Sequence, residues 1–278
     1  MINFRSYFSK YFLGVAGILI ILLFVVTAIF APWLSPYDPL TQKLEDKRIP
    51  PNLKHPLGTD QFGRDILSRI IFGSRYVLLT SISSVGFGLI LGTIFGMTAG
   101  YVGGAWDEII MRTMDVLLSF PYLLLAILIV SSLGAGIVNT IVAIGIWLVP
   151  VFARVARGSI INIRDEDYIH AADALGASNL RIIWRHAIPN IIAPVVVYAT
   201  LQMAYAILME SSLSFLGLGI QPPTPSWARM IADGRNYITV APHIATVPGL
   251  AILFLVLAFN LLGDELREVL DPTVRRSV

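Results

Sequence analysis

Five stretches of this 278-residue chain are almost free of charge, and each is longer than a bilayer is thick. Tyr11–Tyr37, Tyr76–Trp106, Val116–Ala153 and Ala187–Met209 contain no Asp, Glu, Lys, Arg or His, and Asn236–Gly263 contains only His243. A spanning helix needs about 20 apolar residues. Hydrocarbon offers no partner to backbone N–H and C=O groups, so such a run must fold as helix. Charged residues make up 14% of the chain, against about a quarter in a soluble domain. The run Val116–Ala153 is too long for one span and is interrupted at Gly134–Ala135–Gly136 and Asn139, which predicts a hairpin of two. The expected fold is an all-α integral membrane protein with six transmembrane helices, near 12–34, 76–100, 116–134, 137–153, 189–210 and 245–263.

The charge that remains sits between these runs. A net charge of +2, without a basic block interleaved with aromatics, gives no nucleic-acid signature. The absence of cysteine removes disulfides, thiol catalysis and cysteine-bound metals. Arg5 and Lys10 precede the first run, but that run exceeds a signal-peptide core and Ala31–Pro32 provides no A-x-A site, so an uncleaved first span is expected. With six spans, the side holding both tails, a turn at 101–115 and the 154–186 loop carries eleven Lys and Arg, and the other side nine. The excess leans towards cytoplasmic termini.

Prolines at 32, 36, 39, 50, 51 and 56 break up the segment after the first span, which reads as an extended loop with little core. Asp60 is a candidate cap for the turn that follows, at Ile66, Ile70 and Ile71. Along the second span Ser84, Gly88, Gly92, Gly96, Gly100 and Gly104 recur every fourth residue, the pattern of two helix backbones in close approach. Pro121 and Pro150 fall inside predicted spans as potential kinks.

The 154–186 loop is itself helical in pattern. Asp165, Glu166 and Asp167 suit a helix start. Tyr168, Ala171, Ala172 and Leu175 follow at helical spacing, and Gly176 suits the left-handed position after the helix. Ser178 then opens a second short helix through Ile182, Ile183 and Ala187, which Pro189–Asn190 separates from the next span. Small alanines fit a helix that enters a groove on a partner; the competing reading is a helix lying on lipid, although the segment is acidic and lacks large apolar anchors. The final loop, Ser211–Pro242, is rich in Pro and Gly, and suits a re-entrant segment or a plain connection. Glu210 at the end of the fifth run is either a pathway group or a hydrogen-bonded structural carboxylate.

Catalytic equipment is missing from the pattern. None of the four lysines, 10, 43, 47 and 54, lies in a G-x-x-x-x-G-K-[ST] phosphate loop. His55, His170, His186 and His243 lack metal-site spacing. A stand-alone carrier would need coupling groups in mid-span, and a membrane enzyme a reactive cluster at depth; neither is visible.

Several long segments occur together in a recognisable order. They are His55–Pro56–Leu57–Gly58–Thr59–Asp60 with Gly63–Arg64–Asp65, Ala99–Gly100–Tyr101–Val102–Gly103–Gly104, Ser214–Phe215–Leu216–Gly217–Leu218–Gly219 with Gln221–Pro222–Pro223–Thr224–Pro225–Ser226–Trp227, and Ala258–Phe259–Asn260 through Asp271–Pro272. Over nearly its whole length the chain resembles the permease subunit of ABC importers of the dipeptide, oligopeptide and nickel group. His170 stands where the coupling motif of such permeases carries Glu.

The resemblance implies a type I importer permease fold. Residues 1–75 would hold the cytoplasmic tail, first helix and extracytoplasmic segment, and 76–278 the core transmembrane domain with a coupling loop at 154–189. It implies ATPase coupling by Asp167, Tyr168, Ala171, Ala172, Leu175, Gly176, Ala177 and Pro189, and a path or gate at Glu210, Ser214, Phe215, Leu216 and Gln221. The implied partners are a second, homologous permease forming a heterodimer, two ATPase subunits that bind ATP and magnesium, an extracytoplasmic substrate-binding protein and the lipid bilayer. No catalytic or metal-binding residue is expected in this chain, whose place would be a bacterial or archaeal cytoplasmic membrane. Dipeptide or oligopeptide import is the main expectation, and nickel or nickel-chelate import the alternative.

Overall fold

The computed structural model describes residues 12–270; Arg5, Lys10, Arg275, Arg276 and Asp271–Pro272 lie outside the described residues. Eleven α-helices are used here as landmarks: α1 Phe12–Ile29, α2 Ala31–Leu34, α3 Ile66–Val102, α4 Gly104–Ser119, α5 Tyr122–Leu133, α6 Ile137–Arg164, α7 Asp167–Ala174, α8 Asn179–Ile182, α9 Ile188–Phe215, α10 Trp227–Gly234 and α11 His243–Leu270. Five segments are long and apolar enough to cross a membrane, and a sixth is obtained if α4 and α5 count as one bent span.

That bent pair corrects the expected span at 116–134. Residues 104–119, expected to begin as a turn, are helical, and the chain then bends by 91° into α5. Pro121 lies in the break, not within a helix, and Phe120 before it is extended (ψ 131°). A residue preceding proline is disfavoured in the α region, so the corner follows from local sterics. The 12 residues of α5 reach about 18 Å, short of the roughly 30 Å hydrocarbon core.

The glycine ladder is the seam between α3 and α6. A Cβ at Gly88, Gly92 or Gly96 would fall less than 3.0 Å from atoms of Leu148, Val149 or Ala153 respectively, and one at Gly100 would lie 3.0 Å from the Arg157 carbonyl oxygen. Gly104 lies beyond this contact, with nothing within 4 Å of its Cβ position, because the chain has already turned at Gly103 (φ +70°). Helix α1 packs on α11 by the same means: Gly14 lies against Glu265 and Gly17 against Ala258. Pro150 lies inside α6, which continues through it.

One end of the bundle carries a cap built from 31–65 and 216–242. The loop expected to build little core contains a dense buried polar network. Asp65, not Asp60, caps α3: one of its oxygens accepts from Ser68 N (2.8 Å) and Ser68 Oγ (2.7 Å), and the other pairs with His55 Nδ1 (2.9 Å). Asp60 instead closes its own turn by accepting from Phe62 N (2.8 Å), Arg64 N (3.0 Å) and Arg64 Nε (2.6 Å). Capped by Asp65, α3 begins at Ile66 and not at the edge of the uncharged run near Tyr76, and Arg69 in its first turns donates to the Pro39 carbonyl at 3.1 Å. Trp227 is fully buried, donates Nε1 to the Ile70 carbonyl (3.0 Å) and stacks at 5.5 Å on Phe24 of α1. Gly73 leaves the room its indole needs.

Candidate functional site

The 165–187 segment lies at the end opposite the cap. Asp167 stands in the first turn of α7, and Ile169 is its buried contact with the body. Helix α7 closes at Gly176 (φ +77°), with Ala177 N donating to the Ala172 carbonyl (3.1 Å) and Leu175 N to the Ala171 carbonyl (3.1 Å). A left-handed glycine with a bond running five residues back satisfies the carbonyls a helix end leaves open. The closure turns Leu175 outward: it is 88% exposed, with Ala171 exposed and Ala172 half-buried beside it. Trp184 is exposed too, at 66%.

Few bonds tie this loop to the bundle. Tyr101 Oη donates to Asn179 Oδ1 (3.1 Å), and Asn190 Nδ2 donates to Tyr168 Oη (3.2 Å) and to the His186 carbonyl (2.7 Å). Ser178 Oγ accepts from Arg181 N at 3.4 Å, at the start of α8. Pro189 does not separate the second short helix from the next span. Ile183–Ala187 is a π-helical turn that runs directly into α9, with Ile188 N bonded back to the Ile183 carbonyl. Proline in an α-helix clashes with the carbonyl four residues back; the wider turn relieves that clash and leaves Pro189 in the first turn of α9. Asp107 and Asp115 of α4 pair with Arg157 (2.6 and 2.7 Å) and Arg154 (2.7 Å) of α6, fixing the bent segment at this end.

The second candidate group lies at the cap end of α9, which runs to Phe215, so the loop expected from Ser211 begins about a turn later and includes α10. Glu210 is fully buried and its carboxylate accepts from Ser214 Oγ (2.6 Å). Ser214 Oγ in turn accepts from Ile220 N (3.1 Å). Gly217 (φ +82°) ends α9, with Leu218 N donating to the Leu213 carbonyl (2.9 Å) and Gln221 Nε2 to the carbonyls of Gly217 and Gly219 (both 2.9 Å). The Glu210–Ser214–Ile220 bonds and the separate Gln221 bonds thus hold the turn after α9 from two sides, while Phe215 and Leu216 are exposed.

Sequence reading missed the Gly217 closure, although Phe215–Leu216–Gly217 repeats the Ala174–Leu175–Gly176 order of apolar residue then glycine. It missed the π turn, which has no sequence signal beyond Pro189. It also missed a cavity of about 630 Å³ beside Phe215, lined by Arg64, Arg69, Arg229 and Arg235. Among the described residues no three His, Asp or Glu side chains converge to hold a metal.

The chain is thus a membrane helix bundle with one polar cap, a glycine-sealed helix pair and a short exposed helix at the far end. Residues 92–276 match the binding-protein-dependent transport system inner membrane component, and the chain belongs to that family. Residues 3–51 match the N-terminal TM domain of oligopeptide transport permease C. The glutathione transport system permease protein GsiD of Escherichia coli O6:K15:H31 is 42% identical over 274 residues, covering 98% of this chain and 90% of the relative. The di/tripeptide transport system permease protein DppC of Pseudomonas aeruginosa is 44% identical over 270 residues, covering 95% and 89%. Among solved structures, the inward-facing MetNI methionine ABC transporter superposes with a TM-score of 0.61 at 17% identity, over 74% of this chain and 98% of that one, which speaks to the fold. The chain is therefore a multi-pass transport permease of a binding-protein-dependent family.

Proposed function

We propose that this chain forms half of the translocation path of an ATP-driven importer for short peptides, and that α7 with Leu175–Ala177 is the element an ATPase subunit grips. The observation that carries the coupling role is the exposed, glycine-closed α7, which turns an apolar Leu175 and small alanines outward while Ile169 is buried and Tyr168 is bonded to Asn190. A groove on a partner would cover what water now meets. The π turn joins α8 to α9 as one continuous helical run, so displacement of α8 beside α7 would pass along α9 towards the Glu210–Ser214–Ile220 bonds at the opposite end.

A substrate of peptide class is supported by two relatives above 40% identity over nearly the full chain, one named for glutathione and one for di- and tripeptides; nickel is not favoured. The remaining parts belong to the same reading: a second, homologous permease as heterodimeric partner, and ATP and magnesium held by the ATPase subunits. This chain would do no chemistry of its own. The same reading gives both tails a cytoplasmic location, and it is supported by the start of α1 and the end of α11 meeting at Gly14 and Glu265, on the α7 side of the bundle.

The test is ATP hydrolysis and peptide uptake by the reconstituted complex with Gly176→Pro. Proline is confined to negative φ and cannot adopt the +77° seen here. Loss of both activities with the chain still in the membrane is the expected result. Uptake that persists without any ATPase would overturn the reading.

A further inference from the structure

The cap cavity of about 630 Å³ is within the usual size range of small-molecule sites, about 300–1,000 Å³. Four guanidinium groups line it, from Arg64, Arg69, Arg229 and Arg235. Two carboxylates oppose them. Asp60 bonds Arg64 Nε at 2.6 Å and stands 3.7 Å from Arg69 Nε; Asp233 stands 3.2 Å from Arg229 Nε and accepts from Gln61 Nε2 at 3.5 Å. The cavity therefore keeps an excess of positive charge in a concave, partly desolvated setting, which concentrates field lines on an incoming anion.

The polar groups at its wall are not fully used by the protein. Arg69 is only 3% exposed, yet its Nε has no hydrogen-bond partner; the same holds for Arg229 Nε and for Gln61 Oε1. Both arginine Nε atoms have a carboxylate within ion-pair range, but not in hydrogen-bond geometry. A buried donor without a bonded acceptor is costly, and a planar guanidinium is shaped for a carboxylate. Phe62, under the Arg64 guanidinium at 4.8 Å, and Phe215 add apolar wall beside these donors. Pro222, Pro223, Arg235 and Asn236, all exposed, form the rim.

We propose that this cavity receives the carboxylate of a peptide in transit, at the step before it passes the turn held by Glu210 and Ser214. The inference rests on the peptide-import reading and on this end facing outward. Arg229, whose side chain is 37% exposed, and Arg235 at the rim supply the guanidinium donors, while Arg64 and the buried Arg69 add positive charge behind them.

The chain's lack of cysteine allows a direct test. In the reconstituted complex with Asn236→Cys, a sulfonate-bearing methanethiosulfonate should label this chain about tenfold faster than its trimethylammonium counterpart, given a cleft potential of a few kT. At fixed ionic strength, Ala-Ala should slow labelling and its C-terminal amide should not. The double variant Arg229→Gln/Arg235→Gln leaves the buried Arg64–Asp60 pair in place. Relative to the native complex it should lower uptake of the free-acid dipeptide about threefold more than uptake of the amide, as a partly exposed charge pair would.

Equal labelling by the two reagents overturns the proposal, and so does equal protection by acid and amide. Equal loss of both uptakes, with a parallel loss of ATP hydrolysis stimulated by the binding protein, overturns it too and assigns the arginines to docking that protein. A native complex that takes up no peptide fails the import reading instead, and the labelling and protection arms then decide the carboxylate site alone.

Discussion

The two ends of this bundle are built on opposite principles. At the cap, polar side chains are buried and joined across long stretches of sequence: Tyr37 N to Ser68 Oγ, His243 Nε2 to the Thr59 carbonyl, Gln61 to Asp233. At the α7 end the bonds are fewer, and Leu175 and Trp184 face outward. Local stability follows contact density, so the cap is the more firmly held end and the α7 loop the more loosely held one. In the proposed importer this asymmetry would give an outer surface of fixed geometry and an inner lever completed by its ATPase partner.

The largest effect should follow from breaking the cap. Asp65→Ala removes the α3 cap, the Ser68 contacts and the partner of His55 in one step. Losing a helix cap costs about 0.5–2 kcal/mol, and leaving buried donors without their acceptor about 1–3 kcal/mol more. Thermal unfolding of the detergent-solubilised chain should move down by several degrees, and an unchanged midpoint would show that the cap is not the more firmly held end. Next comes the seam that joins the two ends. Gly96→Ala places a Cβ less than 3.0 Å from the Ala153 carbonyl, an overpacking worth about 1–3 kcal/mol. Gly86→Ala, on the same helix with nothing within 4 Å, is the control and should be neutral or stabilising by up to about 1 kcal/mol of helix propensity. Equal midpoints for the two variants would remove the seam from the argument.

Hydropathy made five of the spans legible because a long uncharged run has only one outcome in lipid. It did not show the corner at Phe120–Pro121, since a bend leaves composition unchanged. It placed the start of α3 ten residues late because Arg69 and Arg75 read as loop charges; the Arg69 partner, the Pro39 carbonyl, is 30 residues away. The glycine ladder and the Gly176 closure were legible because both depend on residues close in sequence. The cap network and its cavity were not, for they join 42–69 to 215–237, a pairing no local pattern encodes.

The smallest effect on stability is expected where the functional effect is sharpest. Leu175→Ala alters a side chain that is 88% exposed and touches little of its own chain, so unfolding of the isolated chain should shift by no more than about 0.5 kcal/mol. If an ATPase groove covers Leu175, the same truncation removes about 1.5–3 kcal/mol of burial from the complex. Co-purification with the ATPase and the ATP hydrolysis stimulated by the binding protein should then both fall, while expression and midpoint stay put. A shifted midpoint with coupling intact would mean that Leu175 packs within its own bundle, and the contrast between a complete cap and an incomplete lever would fail at the residue on which it depends most.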